Sequence, residues 1–159
     1  MIPIKNIVLV DDNKIDLFVN QKIIERYNKD IRVIYFENSL SALEYLKISL
    51  QPNNFNPLTR PNVLILDINM PKCNGFEFLD RLSKQEFLEI ENLKIYMLSS
   101  STSLIDINRA KTHSLCAGYI NKPLTAEDLY KISINYNPYL SEYDYSENNF
   151  NLDNIKKKA

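Results

Sequence analysis

The sequence predicts an α/β protein, a doubly wound parallel sheet of five strands with five helices on its two faces. Five short apolar segments alternate along the chain with five segments whose apolar residues recur every three or four positions. Continuous apolar segments are typical of strands buried on both faces, and strands that alternate with helices are joined by right-handed crossovers into a parallel sheet. The 159 residues, 45% of them hydrophobic and 25% charged, suit one such domain.

The first apolar segment, Ile7–Val10, is predicted to be a strand that ends at two aspartates. Asp12 or Asn13 is suited to cap the helix that follows, because a short side chain with an oxygen accepts hydrogen bonds from the free N–H groups of a helix start. The helix is predicted to end at Tyr27–Asn28. Its apolar face is predicted to consist of Ile15, Phe18, Val19, Ile23, Ile24 and Tyr27.

Residues 31–36 form the second predicted strand, after which Asn38 or Ser39 caps a second helix. Pro52 stops this helix, because proline lacks the backbone N–H that a helix interior needs. A polar loop over residues 51–61 follows, which is longer than the usual connection. The apolar face of the second helix is predicted to consist of Leu40, Leu43, Leu46 and Leu50.

The second half of the chain continues the alternation. Val63–Leu66 and Lys94–Leu98 are the third and fourth predicted strands, and Gly118–Asn121 is a shorter fifth strand. Thr125–Asp128 has the pattern of a capping box and opens the last helix. The apolar residues are Phe76, Leu79, Leu82 and Phe87 in the third helix, Leu104, Ile107 and Ala110 in the fourth, and Leu129, Ile132 and Tyr136 in the fifth.

The periodic pattern stops after the fifth helix. We therefore expect residues 1–137 to form the domain. Residues 138–159 are polar with scattered tyrosines, and we expect them to form a flexible C-terminal tail.

The composition argues against several classes of function. A net charge of −1 gives no general affinity for nucleic acids. No apolar stretch approaches the ~20 residues that cross a membrane, and the first residues lack the layout of a signal peptide, so we expect a cytoplasmic protein that binds no membrane. Cys73 and Cys116 have no metal-binding spacing, and two glycines cannot build a Gly-rich nucleotide loop.

Polar side chains follow four of the five predicted strands. The first strand is followed by Asp11 and Asp12, the third by Asp67, the fourth by Ser99 and the fifth by Lys122. In open parallel sheets, ligands bind beyond the carboxyl ends of the strands, near the point where the strand order reverses. We therefore expect these residues, which are distant in sequence, to meet in one site.

Three carboxylates in one site repel one another, and a divalent cation together with Lys122 relieves that repulsion. Oxygen ligands without His or Cys favour Mg²⁺, which is completed by water and by phosphate oxygens. The chemistry that suits such a site is phosphoryl transfer onto the carboxylate of Asp67, with Ser99 donating a hydrogen bond to the phosphoryl group. The product is an acyl phosphate.

Four motifs together carry a resemblance to a known family. They are Val10-Asp11-Asp12, Leu66-Asp67-Ile68-Asn69-Met70-Pro71 with Gly75, Leu98-Ser99-Ser100, and Tyr119-Ile120-Asn121-Lys122-Pro123. In this order and spacing, roughly residues 4 to 137 resemble the receiver domain of bacterial two-component response regulators, of the single-domain type. The resemblance implies a flavodoxin-like strand order of 2-1-3-4-5. It also implies a cis peptide bond between Lys122 and Pro123.

The resemblance implies a role for each residue of the site. Asp67 is the phosphoacceptor in a reaction that depends on Mg²⁺, and Lys122 bridges to the phosphoryl group. Asp12 and Asp67 bind the ion directly, Asp11 binds it through a water molecule, and Asn69 binds it through its backbone carbonyl. The donor is the phosphohistidine of a histidine kinase or of a histidine phosphotransfer protein. The domain is not an enzyme with separate substrates, but it catalyses its own phosphorylation and dephosphorylation.

The resemblance also implies a switch. Ser99 and Tyr119 match the positions at which the family couples phosphorylation to a change of surface, and Ser100 is the alternative to Ser99. The surface is formed by the fourth helix, the fifth strand and the fifth helix. It passes the signal to a downstream protein that the sequence does not identify, or through a phosphorylation-dependent homodimer.

Two other functions fit parts of the pattern. A receiver-like scaffold would use the same surfaces without being phosphorylated, although the complete set of acids, serine and lysine argues against it. An aspartate-nucleophile phosphohydrolase also uses a strand-end aspartate, Mg²⁺ and a lysine, but it needs a second acid two positions later. Asn69 holds that position, and because an amide cannot transfer the proton, this alternative ranks last.

Overall fold

The computed structural model describes residues 4–136, with side chains to residue 134, so the predicted tail at residues 138–159 lies outside the described residues. Strands and helices alternate in the order β1 (Asn6–Val10), α1 (Lys14–Tyr27), β2 (Arg32–Phe36), α2 (Ser39–Ser49), β3 (Val63–Asp67), α3 (Gly75–Ser83), β4 (Lys94–Ser99), α4 (Leu104–Thr112), β5 (Cys116–Asn121) and α5 (Ala126–Tyr136). This order confirms the predicted α/β class. The division of the chain at residue 137 stays a prediction.

The strands form one parallel sheet in the order β2-β1-β3-β4-β5, as the resemblance implied. Val10 at the end of β1 lies opposite Leu66 in β3, so the residues that follow these two strands emerge side by side. In β4, Leu98 lies opposite Asp67 and Ser99 lies opposite Asn121 of β5. The ends of four neighbouring strands therefore lie along one edge, and the strand order reverses between β1 and β3.

Each face of the sheet packs against its own apolar cluster. One cluster joins the sheet to α2, α3 and Ala110 of α4, and the other joins it to α1 and α5. All residues of β1 and β3 are buried. Ala110 is the one buried residue of α4, whereas α3 buries five, so α4 is held to the sheet by little apolar contact. No helix in residues 4–136 is long and apolar enough to cross a membrane.

The predicted apolar face of α1 is wrong in its first half. Ile15 and Phe18 are 72% and 61% exposed, and Val19 is exposed as well. The face that packs on the sheet instead consists of Leu17, Asn20, Ile23, Ile24 and Tyr27. The packed face contains the polar Asn20, whereas Ile15 and Phe18 lie on the exposed side. The apolar pattern of the sequence therefore pointed to the wrong side in the first half of the helix.

Three other residues that were predicted to lie in the core are exposed, and one of them is Leu104 at the start of α4, which is 73% exposed. Phe87 lies beyond α3, which ends at Ser83, and it is 84% exposed. A helix continued to this position would turn Phe87 about 140° away from Leu82, so it could not share the buried face. Leu40 of α2 is 37% exposed, whereas the later leucines of that face are buried.

Side chains with short oxygen-bearing groups begin four of the helices. Asn13, Asn38 and Asn74 each accept backbone N–H bonds from the first turn of α1, α2 and α3. For α1 and α2, where the sequence left two candidates each, the cap is the asparagine. The predicted capping box of α5 is present, because Asp128 accepts from the N–H of Thr125 and the Thr125 hydroxyl accepts from the N–H of Asp128. Asn13 thus starts α1 directly after the two aspartates.

Polar contacts hold the long connection between α2 and β3. The side-chain amide of Asn6 donates to the carbonyls of Pro57 and Arg60 at 2.7 and 2.8 Å. The hydroxyl of Tyr45 donates to the carbonyl of Thr59, and Arg60 pairs with Glu89. These bonds satisfy polar backbone groups in a connection that has neither helix nor strand.

Candidate functional site

Three carboxylates meet at the edge where the strand order reverses. Asp11 and Asp12 directly follow β1, and Asp67 is the last residue of β3. Their nearest carboxylate oxygens all lie within 4.8 Å of one another. Asp11 and Asp67 are 3% and 5% exposed, whereas Asp12 is exposed to solvent. The structure therefore brings together the three acids that the sequence predicted, with one of them facing solvent.

The turn after β3 holds Asp67 in place. The N–H of Gly75 donates a 2.8 Å hydrogen bond to the carbonyl of Ile68 and folds this turn back onto the strand end. A β-carbon at Gly75 would lie 2.6 Å from the main-chain oxygen of Asp67, which is closer than non-bonded atoms approach. Lys72 in the same turn has a φ of 67°, in the left-handed region. Gly75 is therefore needed for the close approach of α3 to the acidic site.

Lys122, which follows β5, contacts two of the three acids. Its Nζ lies 2.6 Å from Oδ2 of Asp11 and 3.2 Å from Oδ1 of Asp67. The backbone N–H of Lys122 donates to the carbonyl of Ser99, which ties the end of β5 to that of β4, and the peptide bond to Pro123 is cis. The side chain of Lys122 is 17% exposed. Its ammonium group is therefore largely enclosed by the acids.

Asp16 is a further partner of Lys122 that the sequence reasoning missed. Its Oδ2 lies 2.9 Å from Nζ of Lys122, and its side chain is 36% exposed. Asp16 lies in the first turn of α1, where an acidic residue is expected for the helix dipole alone. No pattern in the sequence distinguishes Asp16 from an ordinary acidic residue at a helix start.

Burial and uncompensated negative charge together set the electrostatics of the site. Burial, and after it the charge of Asp11, raises the pKa of Asp67 above its ordinary value, and Lys122 does not offset them. Burial acts to lower the pKa of Lys122, but its hydrogen bonds with Asp11 and Asp16 outweigh burial and raise the pKa. The raised pKa of Asp67 and the raised pKa of Lys122 are consistent with each other if one ammonium group is shared among several carboxylates. Each carboxylate is then only partly compensated.

These residues fit a hard divalent cation. Clustered carboxylate oxygens are the ligands that Mg²⁺ and Mn²⁺ prefer, and an ion would offset both the burial and the charge of Asp11 that raise the pKa of Asp67. Because Asp12 faces solvent, an ion held there could retain water ligands. Asn69, the predicted backbone ligand, lies two residues beyond Asp67 in the turn after β3, and its side chain is exposed. Its carbonyl role stays a prediction.

Hydrogen bonds connect the end of β4 to the loop before α4 and to β5. Ser99 ends β4 with its side chain fully buried, and its Oγ accepts a hydrogen bond from the N–H of Ser101 at 3.1 Å. The hydroxyl of Tyr119 donates to the carbonyl of the same Ser101 at 2.6 Å. Ser100, the alternative to Ser99, is exposed. The structure thus links the two predicted switch residues through Ser101, a connection that the sequence did not predict.

Ser101 also attaches the start of α4. Its Oγ donates to Oδ2 of Asp106 at 2.8 Å and accepts from the N–H of Ser103 at 3.2 Å. Since α4 has little apolar contact with the sheet, these polar bonds are a large part of what holds its first turn. A displacement at Ser99 would therefore be passed to α4 through a single residue.

Comparison with known proteins shows that the chain is similar to response regulators. A family model described as the response regulator receiver domain matches residues 7–133. A two-component response regulator of Arabidopsis thaliana is 31% identical over 134 residues, which cover 80% of this chain and 81% of that protein. The response regulator Rcp1 of Synechocystis is 28% identical over 131 residues, which cover 82% of this chain and 84% of that protein.

Solved structures show the same fold. A two-component response regulator from Cytophaga hutchinsonii matches with a TM-score of 0.73 and 26% identity, over 82% of this chain and 95% of that chain. The Mn²⁺-bound form of the response regulator Rcp1 matches with a TM-score of 0.60 and 26% identity, over 81% of this chain and 88% of that chain. The second of these proteins therefore binds a divalent cation of the kind that suits the carboxylate cluster.

Proposed function

The chain belongs to the response regulator receiver domain family, and from that premise we propose that Asp67 accepts a phosphoryl group and that the domain signals through the resulting change of its surface. The observation that carries the proposal is the arrangement around Asp67. Its carboxylate ends a buried strand, lies 3.2 Å from the ammonium group of Lys122 and shares one cluster with Asp11 and Asp12. A nucleophile, a fixed positive charge and ligands for a cation are thus in one place.

The donor in this proposal is the phosphohistidine of a histidine kinase or of a histidine phosphotransfer protein. A carboxylate oxygen of Asp67 attacks the phosphorus, the P–N bond to the donor imidazole breaks, and the imidazole leaves as the P–O bond forms. The product is an acyl phosphate on Asp67. Water reverses the modification when it attacks the phosphorus and releases inorganic phosphate. The domain thus catalyses its own phosphorylation and dephosphorylation.

The chain's own residues hold the reacting group. Lys122 places its positive charge beside the attacking oxygen and stays protonated, because its bonds to the neighbouring acids raise its pKa. In this proposal Mg²⁺ is held by Asp11, Asp12, Asp67 and the carbonyl of Asn69, and when bound it supplies charge neutralisation for the phosphoryl oxygens. The raised pKa of Asp67 supports the need for added positive charge.

The output in this proposal begins at Ser99. Its hydroxyl accepts the N–H of Ser101 and donates to no group within residues 4–136, so it can donate to an oxygen of a phosphoryl group on Asp67. Movement of Ser99 shifts the loop of Ser101, to which Tyr119 is bonded. The surface of α4, β5 and α5 then changes and is recognised by a downstream protein or by a second copy of the chain.

Chemical labelling tests the proposal. Incubated with acetyl phosphate and Mg²⁺, the protein is expected to gain the mass of one phosphoryl group that base removes. Asp67→Asn should abolish the gain, and Asp30→Asn, at an exposed position in the turn before β2, should not. No gain, together with no response to beryllofluoride, would favour the scaffold. Catalytic release of phosphate from many small esters would favour the hydrolase.

A further inference from the structure

The ammonium group of Lys122 divides its hydrogen bonds between two acids that are unlike each other. It donates to Asp11 at 2.6 Å and to Asp16 at 2.9 Å, while Asp67 at 3.2 Å is an ion-pair partner. An ammonium group has three hydrogens and no acceptor. A phosphoryl group on Asp67 would present new oxygen acceptors beside this lysine. Asp11 and Asp16 take two of the three hydrogens, so Lys122 can donate more than one hydrogen bond to the phosphoryl oxygens only if it weakens one of its present bonds.

Asp16 is the partner that can be released at the lower cost. The side chain of Asp11 is 4% exposed, so losing the lysine would leave a buried charge without its cation, with the N–H of Asn13 still donating to it. The side chain of Asp16 is 36% exposed, and water can replace the lysine there. The Asp16–Lys122 pair is only partly buried, because Asp16 is open to solvent, so exchange of Lys122 to another acceptor costs less at Asp16 than at Asp11.

Asp16 also lies close to where the phosphoryl group would form. Its Oδ2 and Oδ1 of Asp67 are 2.9 and 3.2 Å from the same nitrogen, so the two oxygens are at most 6.1 Å apart. A phosphoryl group carries about −1.5 to −2 charges at neutral pH. At such a distance the carboxylate of Asp16 repels that charge while it also occupies the lysine that would neutralise it.

We propose that Asp16 is a positioning residue that competes with the phosphoryl group for Lys122 and thereby slows phosphorylation of Asp67. The inference rests on the proposed function, and it adds a residue that is neither nucleophile nor cation ligand. Asp16 holds Lys122 on the α1 side of the site until a phosphoryl oxygen displaces it. Loss of its carboxylate should free the lysine for the phosphoryl group.

The test compares rates of labelling by acetyl phosphate, whose acetate leaves as the P–O bond to Asp67 forms. Asp16→Asn is expected to increase the rate about three- to tenfold, the change that a partly exposed charge interaction can produce. Glu37→Gln is the matched control, because Glu37 follows β2 at the same edge, is similarly exposed and pairs with Lys14 instead of Lys122. It should leave the rate within about twofold of wild type.

A double-mutant cycle separates this role from a structural one. If Asp16 acts through Lys122, Asp16→Asn should raise the labelling rate much less in a Lys122→Ala background, where only the direct repulsion by Asp16 is relieved, although both single variants change the rate. Circular dichroism shows whether each variant is folded. If the wild type is labelled and Asp16→Asn is labelled at the same rate, the inference is wrong but the proposed function stands. The same holds if Asp16→Asn raises the labelling rate equally in the wild-type and Lys122→Ala backgrounds. Absence of wild-type labelling would overturn the proposed function and the inference with it.

Discussion

The hydroxyl of Tyr119 donates a 2.6 Å hydrogen bond to the backbone carbonyl of Ser101. This bond ties β5 to the connection between β4 and α4, and the N–H of the same Ser101 is bonded to the hydroxyl of Ser99. One peptide segment thus connects the end of β4, which lies beside the acids, to an aromatic residue at the edge of the sheet. The position of the aromatic side chain and the state of Ser99 are therefore coupled.

Removal of this hydroxyl should loosen the segment without unfolding the protein. Tyr119→Phe keeps the ring, which packs against the core, and loses the hydrogen bond, so we expect a loss of about 0.5–1.5 kcal/mol in the free energy of unfolding. Urea denaturation measures the loss, and hydrogen exchange should be faster in the loop around Ser101. Tyr35→Phe, on an exposed residue of β2, is the control. Equal stability and unchanged exchange would show that the bond does not hold the loop.

The two neighbouring serines at the end of β4 should differ in their effect on the output. Ser99→Ala leaves the N–H of Ser101 without its acceptor, which should cost about 1–3 kcal/mol, and it removes the donor for a phosphoryl group. We expect Asp67 still to be labelled, while the change in hydrogen exchange around α4 that beryllofluoride produces is lost. Ser100→Ala, at an exposed position, should retain both responses. The reverse result would make Ser100 the switch residue.

The close approach of Gly75 to Asp67 should couple stability to cation binding. In Gly75→Ala the new methyl group would overlap the main-chain oxygen of Asp67 and the end of Met97, so we expect a loss of about 1–3 kcal/mol and weaker Mn²⁺ binding by titration.

Gly118→Ala provides the comparison for this variant. Its methyl group would meet the ring of Tyr96 at 3.0 Å, far from the acids, so it should reduce stability without weakening Mn²⁺ binding. If both alanine variants bind the ion as the wild type does, the turn at Gly75 does not position Asp67.

The core of the site was predictable because its charged residues directly follow apolar strands. Asp67 and Lys122 stand out in the sequence for this reason, and a parallel sheet gathers strand ends at one edge. Asp16 does not follow an apolar strand, and an acidic residue in the first turn of a helix is common, so nothing in the sequence distinguishes it. Its bond to Lys122 depends on the path of a long side chain across the site, and sequence spacing does not reveal that path.

Backbone contacts and the choice of a helix face were equally hidden from sequence reasoning. Ser101 connects Ser99 to Tyr119 through its main chain, which any residue type possesses, so the pattern of serines alone could not identify its place. For α1, the polar Asn20 on the packed face and the exposed Phe18 reversed the expected pattern. Periodicity identifies which side of a helix is apolar, and tertiary packing decides which side is buried.

The ionisation of Asp67 should make the metal-free protein less stable as the pH rises. Burial and the charge of Asp11 raise the pKa of Asp67, so the folded protein holds this proton more tightly than the unfolded chain does. Stability therefore falls as the pH rises from the ordinary pKa of an aspartate, about 3.9, through the raised pKa of the folded state. At neutral pH the charged carboxylate lowers the free energy of unfolding.

Asp67→Asn should remove this penalty. In EDTA at pH 7 we expect the variant to need more urea to unfold than the wild type, and the difference should shrink as the pH falls below about 4, where Asp67 is protonated in both states. Mg²⁺ at a hundred times its dissociation constant should stabilise the wild type by about 2.7 kcal/mol and the variant much less, because the ion requires the carboxylate. Asp30→Asn, at an exposed position, controls for the loss of one charge. A variant less stable than the wild type at pH 7 without metal would mean that Lys122 compensates Asp67 more than burial and Asp11 penalise it.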